Sequence, residues 1–391
     1  MNHPFLEESL QNLEAKHLKR HLRSVEGPQG REIVVDGQKV LNFCSNNYLG
    51  LADDPRLRQA AIDSIEKEGI GSGASRLVCG NLRAHRALEE KIAQFKGAAS
   101  CLVFSTGYMA NVGIISSVFE RGDIIFSDKF NHASIVDGMI LSGAAFKRYP
   151  HKDMGVLEQW LKESSDFKKR GIITDSVFSM DGDIAPLDKI VDLARRYNAM
   201  VMIDEAHALG ILGQKGKGAA EYFGLEEKID IQMGTLSKAA GVFGAYCCGS
   251  KPLISFLVNR ARSFIYTTGM PPLVAACARR AIEIIEQEPH RRTQLNESSE
   301  YLRRELNRMG FCTLESQTPI IPILIKDARR AVEFSQKLFE HGIFVQAIRP
   351  PTVPVNTARL RLTVMATHQR SDLDFVLEKF QQTGRELLAH I

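Results

Sequence analysis

Between residues 99 and 250 the chain repeats one texture, in which short apolar runs end in polar residues or glycine. Six such runs stand out, at residues 101–104, 124–126, 171–174, 200–203, 231–233 and 245–248. Several are separated by stretches of helical periodicity, such as 187–197. Strands alternating with helices predict an α/β domain built on a mainly parallel sheet. Before this region, residues 5–23 place apolar and charged residues at helical spacing, until Gly27 and Pro28 break the pattern. After it, Pro271 and Pro272 open a helix running to about Glu286, and a second helix runs from about Arg292 to Met309. The tail then predicts a strand at 320–325, a helix at 328–341, strands near 343–347 and 359–364, and a last helix from Ser371. The expected organisation is an amino-terminal helix and short strand over residues 1–42, a large domain over 43–288 and a smaller α/β domain over 289–391.

Composition narrows the class. The 391 residues are 44% hydrophobic and 25% charged, ordinary for a soluble globular enzyme. A net charge of +4 gives no ground for nucleic-acid binding. The one basic cluster, Lys16, Lys19, Arg20 and Arg23, is expected on the solvated face of an amphipathic helix. Seven cysteines form no CxxC pair, so neither a zinc site nor a disulfide framework is expected, and no other metal site is. No apolar stretch is long enough to span a bilayer, and residues 1–10 carry acids rather than a basic, apolar leader. A reduced, cytoplasmic protein is expected, without nucleic-acid or membrane partners.

The polar ends of the apolar runs carry the chemistry. Asp204 follows Val201–Met202–Ile203, which places a carboxylate at the carboxyl end of a buried strand. Asp204–Glu205–Ala206–His207 also looks like a magnesium motif of nucleotide hydrolases. That reading requires a G-x-x-x-x-G-K-[S/T] phosphate loop, and the chain has none. Lys238 ends Gly234–Thr235–Leu236–Ser237–Lys238 after another apolar run. Thr106–Gly107–Tyr108 joins a strand to a helical stretch, where amide groups favour a phosphate. His132 and His207 both fall just beyond strands, and Ser179 lies in a loop whose acids lack the spacing of a calcium loop. An amine for a Schiff base, a carboxylate for a ring nitrogen and amide donors for a phosphate are the needs of pyridoxal 5′-phosphate. In the tail, period two puts Arg359, Arg361 and Thr363 on one strand face, where an arginine suits a substrate carboxylate.

These motifs, with Ser45–Asn46–Asn47–Tyr48–Leu49–Gly50–Leu51, Gly71–Ser72–Gly73–Ala74–Ser75–Arg76 and Ser176–Val177–Phe178–Ser179–Met180–Asp181–Gly182, resemble the α-oxoamine synthases. That family is a branch of the fold-type I pyridoxal-phosphate enzymes. The resemblance implies an aspartate aminotransferase-like fold: a large domain with a mainly parallel seven-stranded sheet, a smaller carboxy-terminal α/β domain, and a homodimer with shared active sites. It implies that Lys238, Asp204 and His132 are catalytic: Lys238 anchors the cofactor and later moves the α-proton, Asp204 pairs with the ring nitrogen, and His132 stacks on the ring. Ser179 and His207 would contact the ring's polar substituents. Gly107, Tyr108 and Thr235 would surround the phosphate or ring edge, and Thr268 would reach the phosphate from the other subunit. Arg361 and Asn47 would bind the amino-acid carboxylate, with Thr352 and Arg23 at the substrate entrance.

Within the family, the segment from Ala347–Ile348–Arg349–Pro350–Pro351–Thr352–Val353–Pro354 to Ala358–Arg359–Leu360–Arg361–Leu362–Thr363 resembles members that join L-alanine to a pimeloyl thioester. Ser75, where the aminolevulinate-forming members usually carry threonine, would leave room for alanine's methyl group. Val78–Cys79–Gly80 resembles the glycine-using, acetyl-transferring members, which keeps that alternative open. A non-catalytic subunit of the same fold is a second alternative, and the intact Lys238 speaks against it.

Overall fold

A computed structural model describes residues 3–387. The chain divides into two units. One gathers the described residues up to Tyr48, Met180–Gly182 and those from Thr293 onward; the other comprises Leu49–Ser179 and Asp183–Arg292. The amino-terminal segment therefore groups with the carboxy-terminal region.

All six apolar runs become strands of one seven-stranded sheet in the second unit. Across the sheet the order is Ser100–Phe104, Ala245–Gly249, Ile231–Thr235, Met200–Asp204, Arg170–Asp175, Ile124–Asp128 and Ala145–Tyr149. The inner strands are buried along almost their whole length, as a sheet with both faces covered requires. Ala245–Gly249 alone runs antiparallel to its two neighbours. The register sets Asp175 beside Asp204 and Asp204 beside Met233, so the parallel strands end together. The loops leaving that edge carry His132, Ser179, His207 and Lys238. Open α/β sheets place their ligands at this edge.

The edge strand Ala145–Tyr149 was not legible, because its sequence Ala-Phe-Lys-Arg-Tyr exposes four of its five residues. The helices Gly107–Val118 and Ala133–Ser142 pack Ile114, Ile115, Ile135 and Met139 into the main core with Leu102, Phe104, Ile125, Ile173 and Met202. Their close approach needs Gly138: a Cβ there would stand 3.1 Å from both the Asn111 carbonyl oxygen and the Ile115 side chain.

The first unit holds two smaller sheets. One orders Val25–Glu26, Glu32–Val35, Gln38–Asn42 and Ile343–Phe344; the other orders Ile320–Lys326, Ala358–Thr363 and Gln346–Ile348. Its hairpin turns at Asp36–Gly37, both with positive φ, the Asp-Gly chemistry of a two-residue turn. The expected amino-terminal helix is shorter than its periodicity suggested. It spans Pro4–Ala15 and buries no residue, and His17 turns the chain with φ of 56°. Lys16, Lys19, Arg20 and Arg23 thus lie past its end and not on its solvated face.

Candidate active site

The second unit encloses a cavity of about 170 Å³ at the carboxyl edge of its sheet. Gly107, Tyr108, Asn111, His132, Ser134, Asp175, Ser179, Asp204, His207, Thr235 and Lys238 contribute to its walls. Eight residues expected at the cofactor, from Gly107 to Lys238, therefore share one cavity; only Thr268 of that set does not line it.

Asp204 is held on both oxygens. The Asn111 side-chain amide donates to Oδ2 at 2.8 Å, and the Ala206 amide donates to Oδ1 at 2.8 Å. The Asp204 carbonyl accepts from the Ser176 hydroxyl at 2.8 Å, tying the strand end to the next loop. At 4% exposure, with a protein donor on each oxygen, the carboxylate has its direction set before any ligand arrives. Lys238 follows the last residue of the Ile231–Thr235 strand by three positions, and its Nζ lies 2.8 Å from His207 Nε2.

His132 caps the Ala133–Ser142 helix. Its Nδ1 accepts from the Ser134 amide at 3.2 Å, and its own amide donates to Asp175 Oδ2 at 2.8 Å. Nδ1 is thus an acceptor and the ring proton sits on Nε2. Burial lowers the pKa of this imidazole, against the pull of the Asp204 charge, so the ring is neutral at pH 7. The Asp175 carboxyl is pushed well above the usual range by burial and by the neighbouring Asp204 charge.

One end of the cavity is built from Gly107–Val118, whose first amide groups have no intrahelical acceptor. Thr106 caps it, accepting from the Met109 amide at 3.1 Å. A Cβ on Gly107 would stand 3.3 Å from Met233 Cε, projecting into space this end of the cavity needs. Opposite, Thr235 Oγ1 donates to the Gly244 carbonyl at 2.9 Å and lies 2.7 Å from Ser237 Oγ, so the Ser237 hydroxyl donates to Thr235. A helix amino terminus with a bare glycine, a fixed buried carboxylate and a lysine amine on the walls of one cavity fit pyridoxal phosphate. Among the described residues no group of three or more His, Cys, Asp or Glu side chains is placed to hold a metal ion.

Ser75 and Thr268, also in this unit, face each other across an isolated β-bridge. Neither lines the cavity. The remaining substrate candidates belong to the other unit. There Arg361, 7% exposed, directs Nη1 and Nη2 at Asn46 Oδ1, each at 3.1 Å, and Asn47 donates to the Gln29 carbonyl at 3.3 Å. Arg23 donates to Gln336 at 3.1 Å and lies over the Phe339 ring at 4.2 Å. The arginine that meets Thr352 is Arg20, whose Nη2 donates to the threonine hydroxyl at 3.1 Å. Sequence reasoning did not single out Arg20, Asn111, Ser134 or Asp175. Of these, Asn111 left a trace: an amide inside a mostly apolar helix, four residues after Gly107.

Comparison with known proteins places this geometry. The profile of the aminotransferase class I and II family matches residues 38–380. The 8-amino-7-oxononanoate synthase of Geobacter sulfurreducens is 50% identical over 380 residues, covering 97% of each chain. A serine palmitoyltransferase variant from S. paucimobilis, with a bound PLP–myriocin aldimine, has a TM-score of 0.93 at 32% identity, over 98% of this chain and 97% of its own. The 8-amino-7-oxononanoate synthase of Francisella tularensis has a TM-score of 0.78 at 29% identity, over 89% of this chain and 98% of its own.

Proposed function

The chain belongs to the class I and II aminotransferase family, and from that footing we propose that it condenses L-alanine with a pimeloyl thioester. The products are 8-amino-7-oxononanoate, carbon dioxide and free thiol, a step of biotin biosynthesis. The acyl carrier is coenzyme A or a carrier protein. The observation that carries the chemistry is the single cavity shared by Lys238, Asp204 and the Gly107 helix terminus; the substrates rest on the 50% identity to a synthase of that name.

Bound pyridoxal phosphate supplies an electron sink for negative charge developing at the amino acid's α-carbon. The residues do the rest. Asp204, immobilised by Asn111 and Ala206, holds a proton on the ring nitrogen. Lys238 anchors the cofactor, takes the α-proton of alanine, and returns a proton to that carbon after carbon dioxide has left. His132, neutral and with its proton on Nε2, stacks on the ring. Ser179 and His207 contact the ring's polar substituents. Gly107, Tyr108 and Thr235 bind the phosphate or ring edge. Asn47 and Arg361 bind the alanine carboxylate, and Ser75 leaves space for the methyl group. Thr352 and Arg23 line the entrance, where Arg20 donates to the Thr352 hydroxyl.

The enzyme works as a homodimer in which Thr268 serves the partner's phosphate site. Supporting this, Thr268 is turned to Ser75 and not to its own cavity, and Val78 and Tyr266 are 78% and 73% exposed. We place it in the cytoplasm, in keeping with seven free cysteines.

Thiol release by the cofactor-loaded protein tests the assignment. Release with L-alanine and pimeloyl-CoA, but not with glycine and acetyl-CoA, is the expected result. Faster release with the second pair moves the enzyme to glycine C-acetyl transfer.

A further inference from the structure

His151 stands outside the cavity, in the loop after Ala145–Tyr149, and the chemistry above makes no use of it. Both of its ring nitrogens face carboxylates: Nδ1 lies 3.0 Å from Asp128 Oδ1, and Nε2 lies 2.9 Å from Asp183 Oδ2. An imidazole between two carboxylates donates from both nitrogens and is therefore charged. Burial opposes that charge, but the hydrogen bonds to Asp128 and Asp183 overcome it and raise the pKa to about 9. The ring is stacked on Phe130 at 4.5 Å and meets the edge of Phe178 at 4.4 Å. Lys152 closes the cluster, its amide donating to Asp128 Oδ2 at 2.9 Å and its Nζ lying 2.6 Å from Asp183 Oδ2. Two acids and two bases leave no net charge.

The partners of His151 come from two different loops. Asp128 and Phe130 begin the loop that ends in His132, where Asp128 Oδ1 also accepts from the Phe130 amide at 2.8 Å. Phe178 and Asp183 flank Ser179, joined by a hydrogen bond from the Phe178 amide to the Asp183 carbonyl at 3.0 Å. His132 and Ser179 both line the cavity. The His132 loop is also tied to the strand leading into the Ser179 loop, by the His132 amide on Asp175 Oδ2 and by Asn131 on the Ile173 carbonyl and the Asp175 amide. His151 adds a charged link farther along, between Asp128 and Asp183.

We propose that His151 is a positioning residue for the cofactor site, fastening the loop that carries His132 to the loop that carries Ser179 and so setting the width of the cavity between them. The proposal rests on the cavity being a pyridoxal-phosphate site. The variant His151→Phe keeps a ring between Phe130 and Phe178 and removes both donors. His151→Arg restores two donors on a planar cation. Two quantities are read: the dissociation constant for pyridoxal phosphate, and the visible circular dichroism per bound cofactor, which reports how asymmetrically the ring is held.

For His151→Phe we expect a dissociation constant raised about tenfold, the equivalent of one charge-assisted hydrogen bond, and less than half the wild-type dichroism. His151→Arg should recover most of both. Wild-type values in His151→Phe would overturn the proposal. So would a loss that arginine fails to rescue and that a lower melting temperature of the cofactor-free protein accounts for. Should His151→Phe fail to fold, His151→Gln, able to serve one carboxylate only, is read by the same criteria. A wild-type protein that binds no pyridoxal phosphate would instead sink the functional reading.

Discussion

Lys96 and Glu205 form an ion pair in the interior of the second unit, with side-chain exposures of 1% and 0%. Lys96 Nζ donates to Glu205 Oε2 and to the Lys217 carbonyl, while Glu205 Oε1 accepts from the Ala220 amide at 3.0 Å. Truncating one partner leaves the other charge buried without compensation, which costs about 3–5 kcal/mol. Lys96→Met should therefore destabilise the unit by about 4 kcal/mol, whereas Lys96→Met with Glu205→Gln should recover more than half of that loss. Gln keeps an oxygen for the Ala220 amide and carries no charge.

Trp160, the only tryptophan, lies in Met154–Lys162 of the same unit and reports its unfolding by fluorescence. With a urea m-value of about 3 kcal/mol/M, a loss of about 4 kcal/mol moves the midpoint down by about 1.3 M. The cofactor-free protein is the right sample, since ligand binding would add its own stabilisation. A shift below about 0.3 M for Lys96→Met, or a double variant as damaged as the two single changes summed, would refute the reasoning. Either outcome would mean that water or a rearranged side chain solvates Glu205.

Four further outcomes are expected. Lys238→Ala should lower thiol release by at least about 10³-fold; near-normal turnover would remove Lys238 from the mechanism. Asp204→Asn should cut turnover by on the order of 10²–10³-fold while leaving pyridoxal phosphate bound, as absorbance after gel filtration would show; full activity would deny Asp204 its electronic role. Gly107→Ala should weaken cofactor binding by about tenfold, because the added Cβ would crowd Met233 Cε at 3.3 Å, and an unchanged dissociation constant would count against phosphate at that helix end. His151, raised from 6.5 to about 9, stabilises the fold fully below pH 6.5, and the contribution fades as pH rises through 9. It amounts to about 3 kcal/mol, so the wild-type urea midpoint should fall between pH 6 and pH 10 by more than that of His151→Phe; parallel pH profiles would contradict it.

How much was legible follows the physics of each segment. The inner strands announced themselves because both their faces are buried, so Ile172–Ile173 or Val201–Met202–Ile203 must be apolar whatever surrounds them. The residues lining the cavity were legible for a related reason, since polar side chains directly after such runs emerge at one edge. Ala145–Tyr149 escaped because four of its five residues are exposed and need not be apolar. Of the amino-terminal sheet only one short strand was expected, because its strands are short and half-exposed. The periodicity at residues 5–23 overran because spacing alone does not mark an end, and His17 departs from helical φ without glycine or proline to signal it. Asn111, Asp175 and Arg20 are visible in the sequence, but what each of them holds is not. Their partners, Asp204, His132 and Thr352, are between 43 and 332 positions away.

The pairing of Gln38–Asn42 with Ile343–Phe344 has a consequence for how the protein is made. A ribosome releases the earlier strand with Val40 and its hairpin neighbours Ile33 and Val35, all buried in the finished protein, some 300 residues before the later strand exists. At 5–20 residues per second that wait is roughly 15–60 s. Throughout it, the hairpin offers one unpaired edge, with its buried valines and isoleucine uncovered, to any other chain nearby. Yield in the cell should thus depend on chaperones that hold early chain segments, and a circular permutant that brings the two strands close in sequence should escape that dependence.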